Sequence, residues 1–91
     1  NPTGSLTIAS GTFQSTTPTS TGDDIVISGD VSLGLQFLTL DANTCNNNIY
    51  FGDTADADVG MIRYAHASNS MLFQTNTSTA LTLDSSQNAT S

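Results

Sequence analysis

The chain has no Glu, no Lys and no Trp, and only one Arg, one His, one Cys and two Pro in 91 residues. Each shortage removes a class of answer. Glu, Lys and Arg are strong helix formers. The Asp, Asn, Ser and Thr that dominate here instead compete with helical backbone for its hydrogen bonds. Ser and Thr alone fill 27 positions, well above ordinary usage, so the chain reads as all-β. With Cys45 alone no internal disulfide can form, and no Cys/His set has the spacing of a zinc site. A formal net charge of −7 argues against nucleic acid, which requires a basic footprint, and against anionic membrane surfaces. No apolar run approaches the roughly 20 residues of a membrane-spanning helix, so membrane insertion is not expected. The start at Asn1 rather than Met fits a segment of something longer.

A hydrophobic content of 36% in one small domain is thin. A core of that size is marginal without disulfides, metal or association. The first two have no residues to build them, and oligomerisation remains.

Along the chain, residues 1–22 read as a Ser/Thr-rich connector with one short strand, Leu6-Thr7-Ile8-Ala9, and residues 23–91 as a β-rich module. The run around Pro18 is a linker by composition, with an O-glycosylated stalk as the alternative. Asp24–Ser28 is a β-branched strand closed by Gly29-Asp30. Leu35–Asp41 is expected to be a strand whose apolar phase changes between Phe37 and Leu38, the mark of a bulge or of burial on both faces. Asn43–Asn48 has turn composition, and Ile49-Tyr50-Phe51 is a short strand stopped by Gly52-Asp53. Leu38-Thr39-Leu40-Asp41 recurs 43 residues later as Leu81-Thr82-Leu83-Asp84, which suggests a repeated supersecondary unit.

The firmest pattern is a hairpin. Gly60–Ala65 and Ser70–Gln74 flank the four residues His66-Ala67-Ser68-Asn69, a common hairpin loop length. That loop sets Ala65 opposite Ser70, Tyr64 opposite Met71 and Ile62 opposite Phe73. Those last four residues then share one apolar face, and Met61, Arg63, Leu72 and Gln74 form a mixed one.

The order Ile49-Tyr50-Phe51-Gly52-Asp53, an Asp/Ala-rich turn, Gly60-Met61-Ile62-Arg63-Tyr64, His66, Asn69-Ser70-Met71, Phe73, Thr75-Asn76 and Leu83-Asp84-Ser85-Ser86 resembles a module of bacteriophage tail fibre and tailspike proteins. That module is often found ahead of a C-terminal self-cleaving chaperone domain. The resemblance covers Asp23 to Asn88 and departs at Gln87, where the family usually has Gly. It implies an intertwined homotrimeric fibre, built as a triple β-helix or as stacked β-sheets. In such a fibre Ile49, Phe51, Ile62, Tyr64, Met71, Phe73, Leu81 and Leu83 would line the shared interior. The implied setting is a virion, outside the cell, with other tail proteins as partners and a host surface glycan as a further one. The alternative is an extracellular adhesin or surface filament of a bacterium or archaeon, which would share the acidic, Ser/Thr-rich β composition.

Chemistry-bearing residues are few. Asp53, Asp56 and Asp58 could supply oxygens to calcium, but they lack EF-hand spacing and a bidentate Glu, and a turn capped by Asp is the plainer reading. His66 has no nucleophile arrangement beside it, so no catalytic residue, cofactor or metal is assigned, and the chain is not read as an enzyme. A tailspike-type hydrolase would require paired carboxylates across a groove, which Asp residues in turns do not provide. Arg63, the sole fixed cation, is expected to reach an Asp carboxylate, that of Asp53, Asp56 or Asp58 in the preceding turn, and across a subunit boundary to help set register. Cys45 reads as an inert thiol. The two glycosylation-like triplets at Asn76 and Asn88 are ones that an Asn/Ser/Thr-rich chain produces by chance.

Overall fold

Short strands rich in β-branched and aromatic residues, separated by Asn, Asp and Gly, form an all-β chain in the computed structural model, which describes residues 6–12, 15–41 and 44–91. It divides into two units, Asn1–Gln36 and Phe37–Ser91. In the first, β1 (Leu6–Ser10) pairs in parallel with β2 (Ile25–Gly29), Ile8 opposite Ile27 and Ser10 opposite Gly29. A parallel pair needs a long crossover. It is supplied here by the Ser/Thr-rich run, which includes a single 3-10 turn at Ser20–Gly22. The strand inside the expected connector thus has a partner. Residues 1–5 and 13–14 of that connector lie outside the described residues.

The second unit is one antiparallel sheet of five strands in chain order: β3 (Asn46–Phe51), β4 (Gly60–Ala65), β5 (Ser70–Thr75), β6 (Ser78–Leu83) and β7 (Ala89–Thr90). The β4–β5 hairpin has the expected register, with Ala65 opposite Ser70, Tyr64 opposite Met71 and Ile62 opposite Phe73. Its loop closes with Asn69 at φ 49, a left-handed conformation that Asn tolerates. The β5–β6 hairpin turns on Asn76-Thr77, between paired Thr75 and Ser78. Both turn residues have positive φ, 48 and 61, the signature of the type I′ turn that matches strand twist.

Three expectations are corrected. Leu35–Asp41 forms no strand, and every residue in it is exposed. Its β propensity is satisfied only by backbone pairing with a neighbouring strand, and among the described residues no strand pairs with it. Asn46–Asn48 belongs to β3 rather than to a turn. Cross-strand pairing with Ala65, Tyr64 and Arg63 overrides the turn preference of Asn, while Asn43 lies outside the described residues. The Leu-Thr-Leu-Asp echo is not a structural repeat, since Leu81–Leu83 is the end of β6 and Leu38–Leu40 is irregular chain.

Thr77 and Gln87 (φ 66) hold left-handed backbone without being Gly or Asn. The conformation costs an ordinary L-residue roughly 1–2 kcal/mol, against which glycine's greater flexibility when unfolded sets about 0.5–1 kcal/mol. Thr77→Gly and Gln87→Gly should each therefore stabilise the fold by about 0.5–1 kcal/mol, read as a raised midpoint in thermal or denaturant unfolding. A lowered midpoint for both would contradict the turn assignments.

Candidate functional site

Cross-strand pairs share a face of the sheet, so the register sorts every side chain. Ile49 lies opposite Ile62, which lies opposite Phe73, which lies opposite Leu81. One step along, Asn47, Tyr64, Met71 and Leu83 form a second row, ending on Ala89. Phe51 stands opposite Gly60 at the sheet's other end. The eight residues expected to line an oligomer interior therefore all fall on one face, and no charged residue joins them.

Among the described residues of the unit, no second layer of strands packs across that face. Ile49 and Phe51 are 43% and 53% exposed, and the other six are half-buried. Among the described residues Met61 is the only buried hydrophobic, at 6% exposure, and it lies on the opposite face with Tyr50 and Gln74. The face expected to be dry is thus the open one in a single copy, and the mixed face holds the lone buried hydrophobic side chain among the described residues. Three shallow hollows mark the apolar face. One lies between Phe51, Ile62 and Phe73, one between Ile49, Ile62, Tyr64 and Met71, and one between Met71, Leu83 and the Asp84–Gln87 turn.

Phe37 edges the middle hollow. It is held there through Asn47, whose Nδ2 donates to Phe37 O at 3.2 Å. Asn47 Oδ1 accepts from His66 Nε2 at 2.7 Å and from Thr39 Oγ1 at 3.5 Å. Neither Phe37 nor Asn47 was marked by the sequence as part of this surface. Phe37 was visible as an apolar residue out of phase with Leu38 and Leu40, but nothing said that it would lie over a sheet rather than inside a strand. His66 also sits edge-on to Tyr64, 5.0 Å between ring centroids. It makes local contacts in the loop, as a turn histidine does.

The polar candidates are spent on backbone. Asp53 Oδ1 accepts from the N–H groups of Ala55 at 2.8 Å and Asp56 at 2.9 Å, and Asp56 Oδ1 from Asp58 N–H at 3.1 Å. These carboxylates cap a turn whose close return leaves no space for a side chain at Gly52, since a Cβ there would run into Ala57 O. Among the described residues no three His, Cys, Asp or Glu side chains converge as metal ligands. The Asp56 carboxyl, by hydrogen bonding and charge repulsion, pushes Asp58 above the ordinary carboxylate range.

Among the described residues Arg63 makes no hydrogen bond to a carboxylate. Its Nε donates to Asn48 Oδ1 at 2.6 Å and its Nη2 to Tyr50 OH at 3.5 Å. Both partners are its face-mates on β3, and the expected contact with Asp53, Asp56 or Asp58 is replaced by this neutral pair. Cys45 is a half-buried free thiol whose carbonyl accepts from His66 N–H at 3.3 Å.

Comparison with protein-family models, with curated proteins and with solved structures finds no match.

The β6–β7 turn holds a second perturbed carboxyl. The N–H groups of Asn88 and Ser86 donate to Asp84 Oδ1 at 3.0 and 2.9 Å and hold its carboxyl below the ordinary range. A carboxyl with a lowered folded pKa stabilises the fold above its unfolded value, near 3.8, and that contribution disappears as pH falls through the folded value. Asp84→Asn should lower the melting temperature near neutral pH, and the variant and wild-type curves should converge on acidification. A constant difference at every pH would show that Asp84 does not act through its charge.

Proposed function

We propose that this chain is a structural segment of a bacteriophage tail fibre, a homotrimeric shaft or spacer that carries host-attachment parts outward from the virion. The observation that carries this reading is the open apolar face: eight large apolar side chains on one side of a sheet a single layer thick. One layer cannot seal such a face from water, and small domains with too little core rely on association. In the proposed fibre three copies turn these faces toward a common axis, as stacked sheets or as an intertwined β-helix. The turns with Asp53, Asp56, Asp58 and Asp84 then lie at the strand ends, toward solvent.

Arg63 is on the face opposite the apolar one, so its proposed inter-subunit partner is a carboxylate reached around the rim of a neighbouring sheet. The guanidinium carries five N–H donors. Asn48 and Tyr50 engage two of them, leaving donors for that carboxylate. The role requires no catalysis, cofactor or metal. Other virion proteins at the segment's ends, and a host glycan on its outward turns, complete the proposed set of partners. A fibre shaft of this kind acts outside the cell.

Size-exclusion chromatography with light scattering should give three times the 9.4 kDa chain mass. Phe73→Ser should cost roughly 3 kcal/mol per copy, the scale for truncating a large buried aromatic, and should break the assembly. Arg63→Ala should weaken it by only about 0.2–1 kcal/mol. A folded monomer that melts cooperatively would end the proposal.

A further inference from the structure

Two features of the Phe37–Ser91 unit fit each other, and neither is satisfied within one chain. The first is the pair Leu38 and Leu40, 81% and 79% exposed, the highest values among the large hydrophobics described. The second is the hollow bordered by Phe51, Gly60, Ile62 and Phe73. That hollow exists because Gly60 stands opposite Phe51 and adds no side chain to the face. A Cβ built at Gly60 would meet nothing nearer than Phe51 Cβ at 3.4 Å.

The chain does not bring the two together itself. Asn47 moors Phe37 through its carbonyl and Thr39 through its hydroxyl. Asn47 is four residues from Phe51 along β3, roughly 13 Å at strand rise. Leu38 and Leu40 therefore stay beside the moored end and leave the Gly60 end bare. Their apolar character matches the hollow's. Both surfaces belong to the same sequence, so a second copy supplies the missing half.

We infer that Leu38 and Leu40 of one copy fill the Gly60 hollow of the next, a contact that rests on the oligomeric reading above. Repeated head to tail about a threefold axis, the contact joins two different patches and closes into a ring. That suits an odd number of copies, which a self-complementary twofold contact alone does not produce. The surface available is sufficient. At roughly 150–200 Å² for a fully exposed large side chain, the exposed fractions of Phe37, Leu38, Leu40, Ile49 and Phe51 leave on the order of 500 Å² of apolar area per copy. That is most of the roughly 800 Å² per partner of a standard interface. Electrostatics does not oppose the approach, because the apolar face carries no charge even though the chain carries −7.

The test compares wild type with two variants in a dilution series followed by light scattering. Leu38→Ser/Leu40→Ser removes the filler without touching the sheet. Gly60→Val blocks the hollow with a residue that suits a strand and whose Cβ the space accepts. Both should associate at least about 100-fold more weakly, the scale of losing two buried leucines, with the β-sheet circular dichroism retained at high concentration. In a Cys45→Ser background, copies carrying Leu38→Cys and copies carrying Thr75→Cys at the rim of the hollow should yield a disulfide-linked hetero-pair when mixed under oxidising conditions. An oligomeric wild type whose variants associate as tightly, or a mixture that gives no hetero-pair, overturns this inference and leaves the oligomer standing. A monomeric wild type overturns both.

Discussion

The pairing of Ile62 with Phe73 decides which way every other side chain in the five-stranded sheet points. Side chains alternate along a strand, so sliding β5 by one residue against β4 would bring Met71 and Phe73 to the side of Met61 and Arg63, and Leu72 and Gln74 to the other. The four-residue loop fixes that register locally, and burial does little to enforce it. In a protein with a packed interior, a slipped strand would be rejected because polar groups would enter the core. This unit has almost no interior, with Met61 the sole buried hydrophobic among the described residues, so the turns carry the specification. Asn69 and Asn76 in left-handed backbone are the devices that do it.

A second device acts at the far side of the sheet. The two-residue Asn76-Thr77 turn sets Thr75 opposite Ser78 and Gln74 opposite Thr79. Continued without interruption, that register would place Ala80 opposite Phe73 and leave Leu81 and Leu83 on the face of Arg63. The irregularity after Phe73 leaves Ala80 as an extra residue in β6, and from there on Leu81 faces Phe73 and Leu83 faces Met71. One bulged residue therefore moves two leucines onto the apolar face and turns Thr82 away from it. The continuity of that face across four strands depends on the bulge.

These two devices explain what the sequence disclosed and what it withheld. The central hairpin was legible because loop length and period-two alternation agree there, and both are local. Leu81 and Leu83 share the face of Ile62 and Phe73, yet the sequence marks no bulge between β5 and β6, and a strict register would put them on the opposite face. The first half of β3 was hidden because Asn46, Asn47 and Asn48 favour turns when considered alone. In the sheet their backbones are paired, Asn47 bonds to His66 and Phe37, and Asn48 holds Arg63. Leu35–Asp41 failed in the opposite sense. It has strand composition, but composition cannot supply a pairing partner, and among the described residues no strand pairs with it. Within the chain, strand pairing puts neutral Asn48 and Tyr50 beside Arg63, a neighbourhood that the formula of eight carboxylates and one Arg does not disclose.

The distribution of charge follows from the same constraint. Each Asp of the Phe37–Ser91 unit other than Asp41 works at a turn between strands, and two of them, Asp53 and Asp84, each receive two backbone N–H groups that a tight turn would otherwise leave unpaired. Asp is suited to that work because its short side chain reaches the backbone two or more residues ahead, which the longer Glu does less well. A chain that consists of many turns and short strands therefore accumulates negative charge as a by-product of turn chemistry. Because turns lie at strand ends, that charge collects along the margins of the sheet and leaves the apolar face neutral. At physiological ionic strength margins separated by more than about 8 Å are largely screened from one another. Copies can then meet through the neutral face without bringing carboxylates into a dry interface, so strong net charge does not oppose the proposed association through an apolar surface.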